Sequence, residues 1–173
     1  MEAETERRES EKERLDRNLT ELLGELRVAL PGVQVLFAFL LAVPFNNRFG
    51  KVTSFERTTY FVTLVTTAIA AGLLIAPSAL HRVMFRQDDK RYIVFTANRL
   101  AIAGFAFLGV AMTSAMLLVS HFLYGTGAAI AVASVAAVLF FTLWYLVPLM
   151  RRRQIAADRA RRARRQQADI VVK

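Results

Sequence analysis

Thr59 to Leu80 reads TYFVTLVTTAIAAGLLIAPSAL and carries no charged side chain. As a helix rising about 1.5 Å per residue it covers roughly 33 Å, against about 30 Å for the hydrocarbon core of a bilayer, so it is long enough to span. Thr53 followed three residues later by Glu56 has the form of a capping box, which moves the predicted helix start back to Ser54. Pro77 marks where that helix is expected to weaken or stop. Beyond it, His81-Arg82-Val83-Met84-Phe85-Arg86 mixes basic and apolar residues as a membrane surface does.

The rest of the chain repeats the pattern. Its 173 residues are 55% hydrophobic, and the apolar ones are gathered into blocks. A soluble bundle would show a polar face every three or four residues, whereas Leu100 to Ser120 offers only Thr113, Ser114 and Ser120. Val28 to Phe45 is the first block. Leu30-Pro31-Gly32 is expected to bend or restart its helix, and Gln34, one turn inside, is expected to face another helix or the carbonyls loosened at Pro31, because an amide in hydrocarbon needs a partner. A third helix, capped by Asp88 or Asp89, is predicted to run without a breaker to about Tyr124, with Leu100 to Phe122 in the membrane. Gly125-Thr126-Gly127 is a tight connection to a fourth span ending at Met150. Small residues recur every fourth position at Ala68, Gly72 and Ala76 and at Gly125, Ala129, Ala133 and Ala137, where helices are expected to approach closely. Trp144 and Tyr145 fall where interfacial rings belong.

The flanks are charged. Residues 2–27 carry nine acidic and six basic side chains, with Leu15, Leu19, Leu22, Leu23 and Leu26 on one helical stripe. That stripe suits a helix lying on headgroups, packed on the protein's own cytoplasmic face, or paired with a second copy. The fold class is therefore all-α: a charged amphipathic helix over 1–27, a four-helix membrane bundle over 28–150 with spans at about 28–45, 56–80, 100–122 and 126–150, and a basic tail over 151–173. The first apolar block follows a segment of mixed charge with no small-residue cleavage site, so no cleavable signal peptide is expected.

Lys and Arg number six before the first span, three in the first connection, four in the second, none in the third and nine after the last. The positive-inside rule then puts both termini in the cytoplasm of a plasma-membrane protein, with Arg99 at the inner interface. A net charge of +9 calls for an anionic neighbour, most simply phospholipid. Arg151, Arg152, Arg153, Arg161, Arg162, Arg164 and Arg165 make the tail a lipid-surface element; nucleic acid is the weaker reading of the same charge, and pairing with the N-terminal glutamates is a further one.

Catalytic chemistry is not indicated. The two histidines, His81 and His121, are expected on opposite sides of the membrane, there is no cysteine, and neither a phosphate loop nor a nucleophile elbow is present. No metal or cofactor site is expected. No span holds an Asp or Glu at depth, which argues against a self-sufficient pump or antiporter. What remains is a polar band at the cytoplasmic boundary, formed by Glu25, Arg27, His81, Arg82, Arg86 and Arg99, with Glu25 the natural partner of a base from another helix.

Glu25-Leu26-Arg27, Gly32-Val33-Gln34 with Phe37, Pro44-Phe45, Arg48-Phe49 and, above all, Ala76-Pro77 followed by His81-Arg82 and Arg86 resemble a family of small actinobacterial multi-pass membrane proteins that carries only a domain-of-unknown-function label. The resemblance covers roughly residues 20–150 and excludes both tails. It implies four transmembrane helices in the plasma membrane and no agreed activity. Members are sometimes loosely labelled cation/proton antiporters, which the missing intramembrane carboxylate argues against. The expected function is a non-enzymatic interaction or accessory component contacting anionic lipid, a protein partner or a second copy of itself. The alternative is a small oligomeric ion or proton translocator with Gln34, Thr66, Thr67 and Ser114 along its path.

Overall fold

The computed structural model describes residues 2–47, 49–84 and 90–171. Five helices follow in order: α1 (Glu2–Ala42), α2 (Ser54–Val83), α3 (Lys90–Tyr124), α4 (Thr126–Phe141) and α5 (Val147–Val171). Two 3₁₀ turns, Val43–Phe45 and Phe49–Lys51, lie between α1 and α2, and a π-helical turn, Thr142–Leu146, joins α4 to α5. Four helical stretches are long and apolar enough to cross a membrane. The protein is all-α among the described residues, with four long apolar helices compatible with a membrane bundle.

The centre is α2 against α3. Glu56, Tyr60, Thr63, Thr67, Ala70, Leu74 and Pro77 are buried on α2 in an alternation of four and three that keeps one seam facing a partner helix, with Thr59 buried beside it. Ile93, Ala97, Ala101, Gly104, Leu108 and Ala111 answer it from α3. Between lipid-solvated helices close packing replaces the hydrophobic drive, so the seam must be smooth. Gly104 provides the closest approach: a Cβ there would meet Leu74 Cγ at 2.7 Å and Leu73 Cβ at 3.3 Å. Thr63 and Thr67 are fully buried without cost because their hydroxyls donate to the carbonyls of Thr59 and Thr63, each at 2.7 Å.

The small-residue faces expected from the sequence are only partly the packed ones. Ala68 and Gly72 are exposed and Ala76 is half-buried, because the seam follows alternating spacing and not every fourth residue. On α4, Ala129 is buried, Ala133 half-buried and Ala137 exposed, with Ala136 taking the inward place.

Helix α1 corrects a second expectation. It does not restart at Pro31: α1 is one helix through the proline, and Leu19, Leu26, Val33 and Leu40, seven residues apart, are buried on both sides of it. Pro77 does not stop α2 either, which ends only at Val83. The N-terminal stripe is thus packed on the protein's own helices, with Leu26 in one core cluster with Val33, Ala70, Leu74, Ala101 and Leu108. Gln34 sits one residue off this seam and is exposed, so it does not face a neighbouring helix.

At the start of α2 the capping box forms as read: Glu56 N–H donates to Thr53 Oγ1 at 3.2 Å and Thr53 N–H to Glu56 Oε2 at 2.8 Å. The cap expected at Asp88 or Asp89 lies outside the described residues. Only Gly125 separates α3 from α4, at φ 82°, a conformation that suits glycine.

Helix α4 is the outlier. Its most apolar window is 6% buried, against 33% for α2, and its main contact with another span is with α3. The contact is aromatic: Trp144 meets Phe105 edge-on at 5.7 Å and stacks on Phe140 at 5.1 Å, while Tyr145 Oη donates to the Ile102 carbonyl at 2.7 Å.

Gly104→Ala should lower the stability of the detergent-solubilised protein by about 1–3 kcal/mol through overpacking. Gly72→Ala, whose Cβ would meet open space, should be neutral or stabilise by up to about 1 kcal/mol through helix propensity. Reversible unfolding of the two variants side by side checks the pair.

Candidate functional site

The connectivity gives the bundle two ends. One, the loop end, gathers the 43–53 connection, the start of α2 and the end of α3; the other, the tail end, gathers the N-terminal half of α1, the end of α2, the start of α3 and α5.

The loop end contains the most closely knit polar group of the described residues. Glu56 is fixed by its role in the capping box, where Oε2 accepts from both the backbone and the hydroxyl of Thr53. Its other oxygen, Oε1, lies 3.3 Å from His121 Nδ1, on the last turn of α3. Both side chains are largely buried, at 10% and 20% exposure, a degree at which an ion pair or hydrogen bond escapes most solvent screening. Phe55 covers the imidazole, with ring centroids 4.9 Å apart. Tyr60, one turn further into α2, donates its hydroxyl to the Leu40 carbonyl at 2.9 Å and so ties the end of α1 to the start of α2. Phe49 packs edge-on against the Tyr60 ring at 5.2 Å.

Glu56, Tyr60 and Phe49 are among the residues that line a cavity of about 410 Å³. Glu56, Tyr60 and Asn46 supply its polar wall, and Val43, Val52 and Phe122 are among its apolar walls. The size falls within the range of small-ligand pockets. No group of three metal-binding side chains occurs among the described residues.

The sequence named both partners of the central pair without joining them. Glu56 was legible as a cap and His121 as a histidine on the side of the membrane opposite His81. The signal that joins them is topological. Residues at the start of the second span and at the end of the third must occupy the same side of the membrane, and a capping glutamate keeps one oxygen to spare.

The expected band at the tail end is not drawn together. Glu25, Arg27, Arg82 and Arg99 are all exposed, and none of them forms an ion pair among the described residues; His81 is half-buried, and Arg86 lies outside the described residues. Glu25 is therefore not the acid that links helices. Asp16 is, through Lys90 Nζ at 2.7 Å, because the unbroken α1 projects past the end of the bundle and brings its earlier turns to the start of α3. No ion pair joins α1 to α5 among the described residues, and α5 makes its main contact with the π turn.

The four intramembrane polar residues are likewise dispersed. Thr66 is half-buried and donates to the carbonyls of Val62 and Thr63, Thr67 is fully buried, and Gln34 is exposed. Ser114 is half-buried, in a separate groove of about 430 Å³ between α3 and the Trp144 region. No hydrogen bond links any two of them among the described residues. Arg151, Arg152, Arg153 and Arg161 are exposed along α5; Arg162, Arg164 and Arg165 continue the helix, their side chains outside the described set.

Residues 8–148 match a family described as a family of unknown function (DUF6328). The chain belongs to that family. The match begins at residue 8 and so takes in most of the charged N-terminal segment, which the sequence resemblance had excluded. This extension agrees with the packing of α1, whose buried Leu19 belongs to the same seam as Val33. No curated protein and no solved structure is detectably similar.

Thr53→Ala should destabilise the protein by about 1 kcal/mol as a lost helix cap. Glu56→Gln, which keeps a side-chain acceptor at the third helical position, should lower the melting temperature less than Glu56→Ala. A double-mutant cycle with His121→Ala should return a non-zero coupling for Glu56→Ala, read from thermal unfolding in detergent.

Proposed function

We propose that this family member is a non-enzymatic plasma-membrane protein that acts as an interaction or accessory component, presenting a basic helix whose base meets the headgroups at the cytoplasmic membrane surface. The observation that carries the reading is the course of α5. It leaves the last span as a continuation of the same helical rod, packs chiefly on the π turn, and exposes Arg151, Arg152 and Arg153 at its base. Anionic headgroups suit such a helix, at about 1 kcal/mol for each Lys or Arg held near the surface. At the same end, α1 and α3 carry the charged connections, and the strong excess of Lys and Arg there favours both termini in the cytoplasm.

An interaction role fits the lack of converging catalytic groups among the described residues better than chemistry does. Transport is the weaker alternative. The hydroxyls of Thr66 and Thr67 are taken up by their own helix, and Gln34 and Ser114 lie on different helices and different surfaces. Reproducible gradient-driven ion flux by the purified protein in liposomes would replace this reading with a translocator.

Two measurements address the proposal directly. A reporter fused after Lys173 should be active only as a cytoplasmic fusion. Replacing Arg151, Arg152 and Arg153 together by Gln should weaken the protection of α5 by anionic vesicles against protease. Raising the salt concentration should produce the same loss in the unaltered protein, since exposed charges are screened within about 8 Å at physiological ionic strength.

A further inference from the structure

The cavity at the loop end has a chemistry of its own, independent of the basic tail. Its one charged wall residue among the described residues is Glu56. Oε2 of that carboxylate is engaged by Thr53, and Oε1 faces His121 Nδ1 at 3.3 Å. His121 is not among the residues that line the cavity, so the ring holds the carboxylate from behind the wall and Glu56 is the charged group the cavity presents. Tyr60 has committed its proton to the Leu40 carbonyl, so its oxygen can only accept. No lysine or arginine lines the cavity among the described residues. Such a wall suits a cation that brings its own N–H donors.

The shape adds a second requirement. Val119, Phe122 and Leu123, on the α3 side of the cavity, are also exposed on the outside of the bundle, at 57%, 56% and 59%. The cavity therefore opens sideways to the acyl region as well as toward the headgroups. Phe49 and Phe122 offer aromatic surface within it, which also favours a cation. A ligand that matches both requirements has an ammonium head and a hydrocarbon body.

We propose that the loop-end cavity is a binding site for a phospholipid bearing a primary amine, with the ammonium on Glu56 and an acyl chain along Val119 and Phe122. A primary ammonium supplies three N–H donors, whereas the quaternary head of phosphatidylcholine supplies none. The site accordingly selects phosphatidylethanolamine over phosphatidylcholine, and phosphatidylglycerol, with no cation, is the poorest fit.

The full-length protein, reconstituted with equal amounts of these three lipids and released into native mass spectrometry, should retain phosphatidylethanolamine over phosphatidylcholine by about tenfold, the scale of one charge-assisted hydrogen bond. Glu56→Gln, which keeps the helix cap, should bring that ratio to about one. Val119→Trp leaves the cap untouched and fills the cavity from the lipid side; it should abolish the preference too, and it decides the matter if Glu56→Gln fails to fold. Equal retention of the two lipids by the unaltered protein, or a preference that survives in a folded variant, would overturn the proposal. So would displacement of the lipid by soluble phosphoethanolamine as effectively as by its lysolipid, since that would assign the site to a free amine.

Discussion

The contact between Gly104 and Leu74 sets the register on which both ends of the molecule depend. Helices α2 and α3 run antiparallel, so a step back along one corresponds to an equal step forward along the other. Glu56 lies eighteen residues before Leu74 and His121 seventeen after Gly104. At about 1.5 Å per residue these are nearly equal distances of roughly 26 Å, which is why the carboxylate and the imidazole arrive side by side. The same register brings Lys90 to the other end, within reach of Asp16. A larger residue at the crossing would separate the helices and loosen a polar pair far from the substitution. Packing at the centre and chemistry at the end are thus one problem.

Much of the architecture was legible because each span announces itself locally. A run without charge, a Thr-x-x-Glu box and a Gly-Thr-Gly connection each report on a few consecutive residues, and Ser54, Tyr124 and Thr126 mark helix boundaries close to where those signals put them. What was not legible depends on neighbours. The exposed Gln34 and the buried Val33 are adjacent in an apolar run, and only the helix that packs there decides which of them turns inward. Glu25 and Asp16 are both acidic residues on the same helix, and the choice between them follows from how far α1 extends past the bundle. The site at the loop end was hidden for the same reason, since its two central residues lie on different helices.

Proline was the most misleading signal. In water a proline inside a helix exposes a carbonyl that solvent satisfies, so the helix can end there; in a bilayer there is no such solvent, and the chain keeps its helix so as to satisfy as many backbone groups as it can. Pro31 and Pro77 illustrate this in two ways. Pro31 lies outside a seam that runs past it on Leu26 and Val33, while Pro77 is itself a fully buried member of the seam. In neither case does the helix end. The breaker rules hold better at Gly125, where the chain must reverse and a left-handed backbone is needed.

Pro148 is accommodated in a third way, and it bears on how the basic helix is held. The proline ring would press on the carbonyl four residues earlier, that of Trp144. The chain widens there into a π turn, in which Val147 N–H reaches back to the Thr142 carbonyl. Widening the turn rotates the side chains that follow, and it is within this turn that Trp144 meets Phe105 and Tyr145 reaches Ile102. Because α4 has little other burial, these contacts anchor the last span to α3 at the base of α5. The proline that interrupts the α-helical pattern is therefore coupled to the anchor that fixes where the arginine-rich helix leaves the bundle.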